Sequence, residues 1–200
     1  MDFTKVREAL EKRGFAVSCF ETAAAAAEYL NGQIDGKTVG FGGSVSLEEL
    51  KLYDLLSTHN TVYSHWHAPA DISGGELTRL AATAEIFCCS VNGLAETGEI
   101  INIDGTGNRV ASTMYGHKKV YFAVGRNKLA PTYDEALWRA RNIAAPKNAA
   151  RLNRKTPCVA DGRCHDCASP ERICCGLAVL WKSMKSCEME VVLIDEELGY

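Results

Sequence analysis

Several features are missing from this 200-residue sequence. No apolar run approaches the ~20 residues that a membrane-spanning helix needs. No cluster dominates the 22 Lys and Arg residues, and the net charge is -3, which disfavours a basic nucleic-acid binder. No export signal is legible, because Met1 to Gly14 alternates charged and apolar residues. Internal repeats, low-complexity tracts and interdomain linkers are also missing. These absences point to a cytoplasmic protein with no membrane or nucleic-acid partner. What remains is ordinary for a folded chain: 46% of residues are hydrophobic and 24% charged, which argues against wholesale disorder. The length suits one domain over residues 1–200, able to bury roughly 70% of its unfolded surface.

Cysteine is abundant instead. There are nine, an odd number. Without an export signal they read as reduced thiols or metal ligands, not as a disulfide framework.

Strand-like and helix-like segments alternate along the chain. Asp2 to Arg13 is amphipathic, with Phe3, Val6 and Leu10 at helical spacing, and Gly14 is a stop. Phe15 to Phe20 reads as a strand. Thr22 caps an alanine-rich helix from Ala23 to Leu30, closed by Asn31-Gly32. Further strands are expected at 38–41, 61–64, 85–90, 99–104, 119–125 and 190–194. Helices are expected at 46–56, 76–83, 110–115 and 133–145, with a second helical segment after Pro146 running to about Asn153. Ser46 with Glu49 fits a capping box. This alternation predicts an α/β fold with a largely parallel sheet flanked by helices.

Val39-Gly40-Phe41-Gly42-Gly43-Ser44-Val45-Ser46 is a strand, a glycine turn and a helix start. Glycines permit positive φ and close approach of a ligand. The free N–H groups at a helix start favour phosphate or carboxylate. Ser44 and Ser46 add hydroxyl donors. The stretch is neither a Walker A loop nor a strict dinucleotide fingerprint. The bland alternative is a tight turn where side chains do not fit.

A polar stretch runs from Asn92 through Glu96 and Glu99 to Asp104, Asn108 and Arg109. A carboxylate beside glycines can serve as a general base or as a nucleophile toward an acyl group. Arg109 can grip a carboxylate or phosphate with two parallel bonds. The alternative is again structural: a hairpin turn at 96–99, an Asx turn with a helix cap at 104–108, and Arg109 bridging Asp104. Asn127 and Lys128 follow a strand end, where α/β proteins bind ligands.

At these segments the chain resembles the LUD-domain family, the lactate-utilization proteins. The resemblance rests on residues 38–46, 92–98, 102–110, 124–128 and 142–146 and on the cysteine loop, and it covers nearly the whole chain. It implies a fold like that of ribose-5-phosphate isomerase, glucosamine-phosphate deaminase and the CoA transferases. It also implies a bacterial cytoplasmic protein linked to lactate or 2-hydroxy-acid use. In those related folds a glycine loop after an early strand holds the phosphate or acyl carrier. By that resemblance Gly42, Gly43 and Ser44 are the anion cradle, and Glu96 and Asp104 are the candidate catalytic carboxylates. Ser46, Asn92, Asn108, Arg109, Asn127 and Lys128 complete the candidate ligand set. No active-site signature of those enzymes is present, and no nicotinamide or flavin fingerprint.

Cys158-x5-Cys164-x2-Cys167-x6-Cys174 is a second chemical signal. Four thiolates at this spacing can surround zinc or hold an iron–sulfur cluster. Free thiols and a Cys164–Cys167 redox disulfide are the other readings. His65-Trp66-His67 reads as a strand end or pocket rim, with a metal or stacking site also possible. Two functions follow: a binder of a small anionic metabolite, or a non-catalytic metal-carrying module docked to a redox complex. Other lactate-utilization proteins and a second copy of the chain are the expected protein partners.

Overall fold

Two sheets form in the computed structural model, which describes residues 1–200. The larger has six strands, all parallel: β1 (Ala16–Phe20), β2 (Thr38–Phe41), β3 (Thr61–Tyr63), β4 (Ile86–Cys89), β7 (Lys119–Gly125) and β10 (Glu188–Ile194), ordered β1-β10-β7-β4-β2-β3. The smaller is mixed: β5 (Gly93–Ala95), β6 (Ile100–Asp104), β8 (Leu129–Ala130) and β9 (Gly176–Leu180), ordered β8-β5-β6-β9. The sequence pattern anticipates the first sheet and, in the second, only β6. Strands β5 and β8 have only three and two residues, too short to show a period, and β9 leaves the cysteine loop without a turn signal.

The large sheet is covered on both faces, which is why its strands read as unbroken apolar runs. On one face Val39, Phe41, Cys88, Ala123, Val192 and Ile194 pack against α2 (Ala23–Gln33), α3 (Val45–Glu49) and α4 (Leu52–Leu56). On the other, Phe87, Phe122, Val124, Val191 and Leu193 pack against α1 (Thr4–Lys12) and the inner side of the small sheet. Gly40 lets α5 (Gly74–Ala81) lie directly on β2: a Cβ there would fall 2.3 Å from the Ala81 carbonyl oxygen.

Three helical expectations change in the structure. The alanine helix runs through Asn31-Gly32 to Gln33, because Leu30 and Ile34 are both buried and hold the last turn down. The helix expected at 46–56 is two short helices, broken where Lys51 takes a left-handed φ of 52°. Its cap is Ser44, whose Oγ accepts from the Leu47 amide, and not Ser46. The chain from α7 (Tyr133–Arg139) to α8 (Ala145–Arg151) is one helical run. A π-helical stretch, Ala140–Ala144, leads into Pro146 at the start of α8, and its wider turn absorbs the proline's missing donor. The remaining helices are α6 (Asn108–Met114) and α9 (Pro157–Asp161).

Candidate functional site

Strands β2, β3 and β4 lie side by side, so their carboxyl ends deliver three turns to one rim. These are Gly42-Gly43 after β2, Ser64 to Trp66 after β3, and Ser90 to Asn92 after β4. Ligands of open α/β sheets bind outside this edge. The small sheet and α8 stand opposite and close a cleft of about 490 Å³. Gly43, His65, Trp66, Asn92, Asp104, Asn108, Arg109, Asn148 and Arg151 are among its lining residues. A smaller hollow of about 60 Å³ shares Gly43, Trp66, Asn92, Arg109, Asn148 and Arg151 with it and adds Ser44, Ser46 and Lys128.

The glycine turn works by what it leaves out. Neither Gly42 nor Gly43 has a positive φ, contrary to the expectation from sequence. A Cβ on Gly42 would meet the Arg109 side chain at 3.1 Å, and one on Gly43 would meet His65 Nε2 and Trp66 Nε1 at 3.0 Å. The missing side chains therefore let Arg109, His65 and Trp66 close on the turn. Gly42 packs under Arg109 and does not line the cleft; Gly43 does. The amides of Val45 and Ser46, in the first turn of α3, have no acceptor within that helix. Ser46 Oγ donates to the Leu198 carbonyl at 3.2 Å, so its hydroxyl is engaged by the C-terminal segment.

Arg109 has a different job from the one expected. Its Nη1 donates to Asn102 Oδ1 at 2.7 Å and to the Ser90 carbonyl at 3.2 Å. Its Nη2 donates to the Ile103 carbonyl at 2.6 Å and to Asn92 Oδ1 at 2.9 Å. All four terminal N–H groups are thus used inside the protein. Arg109 staples the end of β4 to β6 and brings fixed positive charge to the cleft wall, without a free fork for a ligand. It does not bridge Asp104. Asp104 instead accepts from the Gly105 amide at 2.9 Å and the Val110 amide at 3.0 Å, which caps α6. It lines the cleft as a fixed anion.

Glu96 and Asn127 lie off the cleft. Glu96 sits in the β5–β6 turn and accepts from Lys5 Nζ at 2.7 Å. Asn127 ties down the C-terminal segment, accepting from the Leu198 amide at 3.1 Å and donating to the Gly199 carbonyl at 3.3 Å. Asn108 lines the cleft at the start of α6.

Lys128 is buried at the floor of the smaller hollow, 4% exposed. Its Nζ donates to the Tyr200 carbonyl at 2.6 Å. Burial, helped by the nearby Arg139 and Arg109 charges, pulls its pKa down to about 7. Arg139 shares the Tyr200 carbonyl and is itself pulled down to about 10 by burial.

Several cleft residues carry no motif in the sequence. Arg151 and Asn148 come from α8, one turn apart, and nothing in the local sequence marks them from other solvated polar side chains. Arg154 and Arg172 add further positive charge to the wall, against Asp104 and Glu171. His65 and His67, which read from the sequence as a strand end or pocket rim, lie beyond the end of β3 and have separate partners. His67 stacks on Tyr53 at 3.9 Å and meets Glu48 at 3.0 Å. His65 faces the cleft, and burial together with Arg151 lowers its pKa, so the imidazole is neutral at pH 7.

The cysteine loop does not form the expected four-ligand cage. No three His, Cys, Asp or Glu side chains anywhere converge closely enough to hold a metal ion. The backbone around these thiols is set by hydrogen bonds to Arg172, not by a shared centre. No cysteine is disulfide-bonded, Cys164 and Cys167 included. No helix is long and apolar enough to cross a membrane.

No curated protein matches the chain. Among solved structures, it is similar to a DUF162 family protein from Deinococcus radiodurans, at 14% identity and a TM-score of 0.51, over 97% of this chain and 99% of that one. That likeness shows a shared fold and nothing finer. The LUD domain pattern matches residues 3–194, so the chain belongs to the LUD domain family, a family associated with lactate utilization.

Proposed function

We propose that the cleft binds a small anionic metabolite, a carboxylate or a phosphate, in the use of lactate or related 2-hydroxy acids. One observation carries this reading: the Arg151 guanidinium, stacked on Trp66, lines a cleft at the carboxyl edge of the sheet together with Gly43, in the turn before α3. Four arginines stand on that wall against two carboxylates, and Lys128 lies below. Such an excess of fixed positive charge in a recess attracts anions and holds them at short range. Arg151 uses Nε and Nη2 on Asn148, which leaves Nη1 for a ligand. Neutral His65 next to it makes no hydrogen bond of its own and can accept a proton from a carbon beside a carbonyl. Asp104, whose oxygens are both held by amides, and Glu96, which lies outside the cleft, are weaker candidates for that step.

The test is a thermal-shift screen of lactate, pyruvate, inorganic phosphate and acyl-CoA. A ligand of the folded form raises the melting temperature. The reading expects at least one carboxylate or phosphate to do so, with an Arg151→Ala variant weakening the affinity read from the shifts roughly 10- to 100-fold, the worth of a charge-assisted hydrogen bond. If no anion shifts the transition, or Arg151→Ala leaves the shift unchanged, the cleft is not an anion site.

A further inference from the structure

Four of the nine thiols surround one small hollow. Cys158 lies in α9, Cys164 and Cys167 on the loop behind it, and Cys174 just before β9. They line a space of about 20 Å³, room for about one water-sized particle. The other five thiols lie elsewhere: Cys88 and Cys89 are core residues of β4, and Cys19, Cys175 and Cys187 do not reach the hollow.

The loop around these thiols lacks the usual means of holding its shape. From residue 153 to residue 175 only Thr156 is buried. A segment of this length with almost no apolar burial ordinarily needs a cross-link or a metal. Its backbone is nevertheless well organised. Arg172 donates to the Cys167 carbonyl at 2.6 Å and to the Cys174 carbonyl at 2.9 Å, which ties the two cysteines' backbones together. Arg141 Nη2 lies 3.8 Å from Cys164 Sγ, and the Thr156 hydroxyl lies 3.2 Å from Cys158 Sγ. Two guanidiniums therefore stand against four thiols. Four thiolates on one dipositive ion leave a net charge of two minus, which Arg141 and Arg172 offset in part, since both also pair with Asp166 at 3.3 and 3.1 Å. His165 also borders the hollow, but its Nε2 is taken by Asp161 at 2.9 Å.

We propose that Cys158, Cys164, Cys167 and Cys174 bind one thiophilic metal centre, a zinc ion or an iron–sulfur cluster. The thiols do not yet converge, so binding draws the loop inward around an ion or spreads it around a cluster. For a single ion the four S–H groups release four protons to solvent, four sulfur–metal bonds form, and no electron is transferred. Arg172 and Ile173 line both this hollow and the anion cleft, so loading the metal also fixes one wall of that cleft.

The test uses the full chain purified without oxygen, measuring zinc, iron and acid-labile sulfide, with alkylation of each cysteine mapped by mass spectrometry. One zinc per chain, or iron with sulfide, is expected, and the four loop thiols should be protected while Cys19 and Cys175 react. Zinc identifies a closed structural ion, and iron with sulfide identifies a cluster. Cys164→Ser should lose the metal, and Cys19→Ser should keep it. Should Cys164→Ser fail to fold, cobalt titration of the metal-free wild-type chain replaces it, and the intense visible bands of tetrahedral thiolate coordination are expected. Protein without metal, whose loop thiols react equally fast with and without added zinc and which gives no cobalt bands, overturns the proposal. So does a Cys164–Cys167 disulfide in the anaerobic protein.

Discussion

The Arg151 guanidinium lies over the ring of Trp66, 4.7 Å from its centre, while its Nε and Nη2 hold Asn148 Oδ1 at 3.1 and 2.8 Å. Residues from the far side of the sequence are thereby fixed against the turn that follows β3. The stacked arginine is pre-set in direction, so little side-chain freedom remains to be lost when an anion arrives. Trp66→Leu should keep the cleft's charge yet weaken anion binding several-fold, since a stacked cation contributes about 0.5–2 kcal/mol. Calorimetric titration of the variant checks this; unchanged affinity would mean that the stacking does not position Arg151.

Arg109 is the most connected side chain at the site. Arg109→Met removes the guanidinium donor from the Ser90 and Ile103 carbonyls and from the Asn92 and Asn102 carboxamide oxygens, which keep only the Ile103 and Asn92 amides. Unsatisfied buried acceptors cost ~1–3 kcal/mol each, though water reaching a half-buried site reduces the sum. A loss of a few kcal/mol is expected in urea unfolding, and Arg109→Lys should recover little of it, because an ammonium cannot span the same fork. A variant with wild-type stability would show that the staple is dispensable.

Lys128 makes stability depend on pH. Its ordinary pKa of 10.5 falls to about 7 in the folded chain, chiefly through burial. Between those values the unfolded chain binds the extra proton, so this group's contribution to stability rises with pH from about 7 to about 10.5. The penalty is full below pH 7. Lys128→Met should therefore be more stable than wild type near neutrality, by on the order of a few kcal/mol. The two should converge as pH approaches 10.5. Equal stabilities at pH 7 would contradict the depressed pKa.

Gly40 and Gly43 are expected to respond differently to a methyl group. At Gly40 the new carbon meets the Ala81 backbone at 2.3 Å, so Gly40→Ala must push α5 off the sheet and lower the melting temperature markedly. At Gly43 it meets the side chains of His65 and Trp66 at 3.0 Å, which can swing aside. Gly43→Ala should fold, with a modest melting change, and lose anion affinity because Trp66 no longer supports Arg151. Thermal melts and titrations of the pair separate the two roles.

The parallel sheet was legible because its strands are apolar on both faces and separated by helices of ordinary spacing. Of the small sheet only β6 is legible, since Gly93–Ala95 and Leu129–Ala130 are too short to carry a period. The site was half legible. Gly43 stood out because a glycine pair after a strand is a local signal. Asn92, Asp104, Asn108 and Arg109 stood out because they are dense in sequence. Their roles did not: whether a carboxylate caps a helix or faces a ligand depends on which amides the fold brings to it. Arg151 and Asn148 carried no signal, because a single turn of helix in the sequence does not say which sheet edge it will face.

The most direct measurement is an amide NMR titration of the isotopically labelled chain with pyruvate and with inorganic phosphate. Saturable shifts centred on Gly43, Val45, Ser46 and the Arg151 side chain, with little change at Glu96, are the expected result. Shifts confined to other surfaces, or none at any concentration that leaves the fold intact, would contradict an anion site at this cleft.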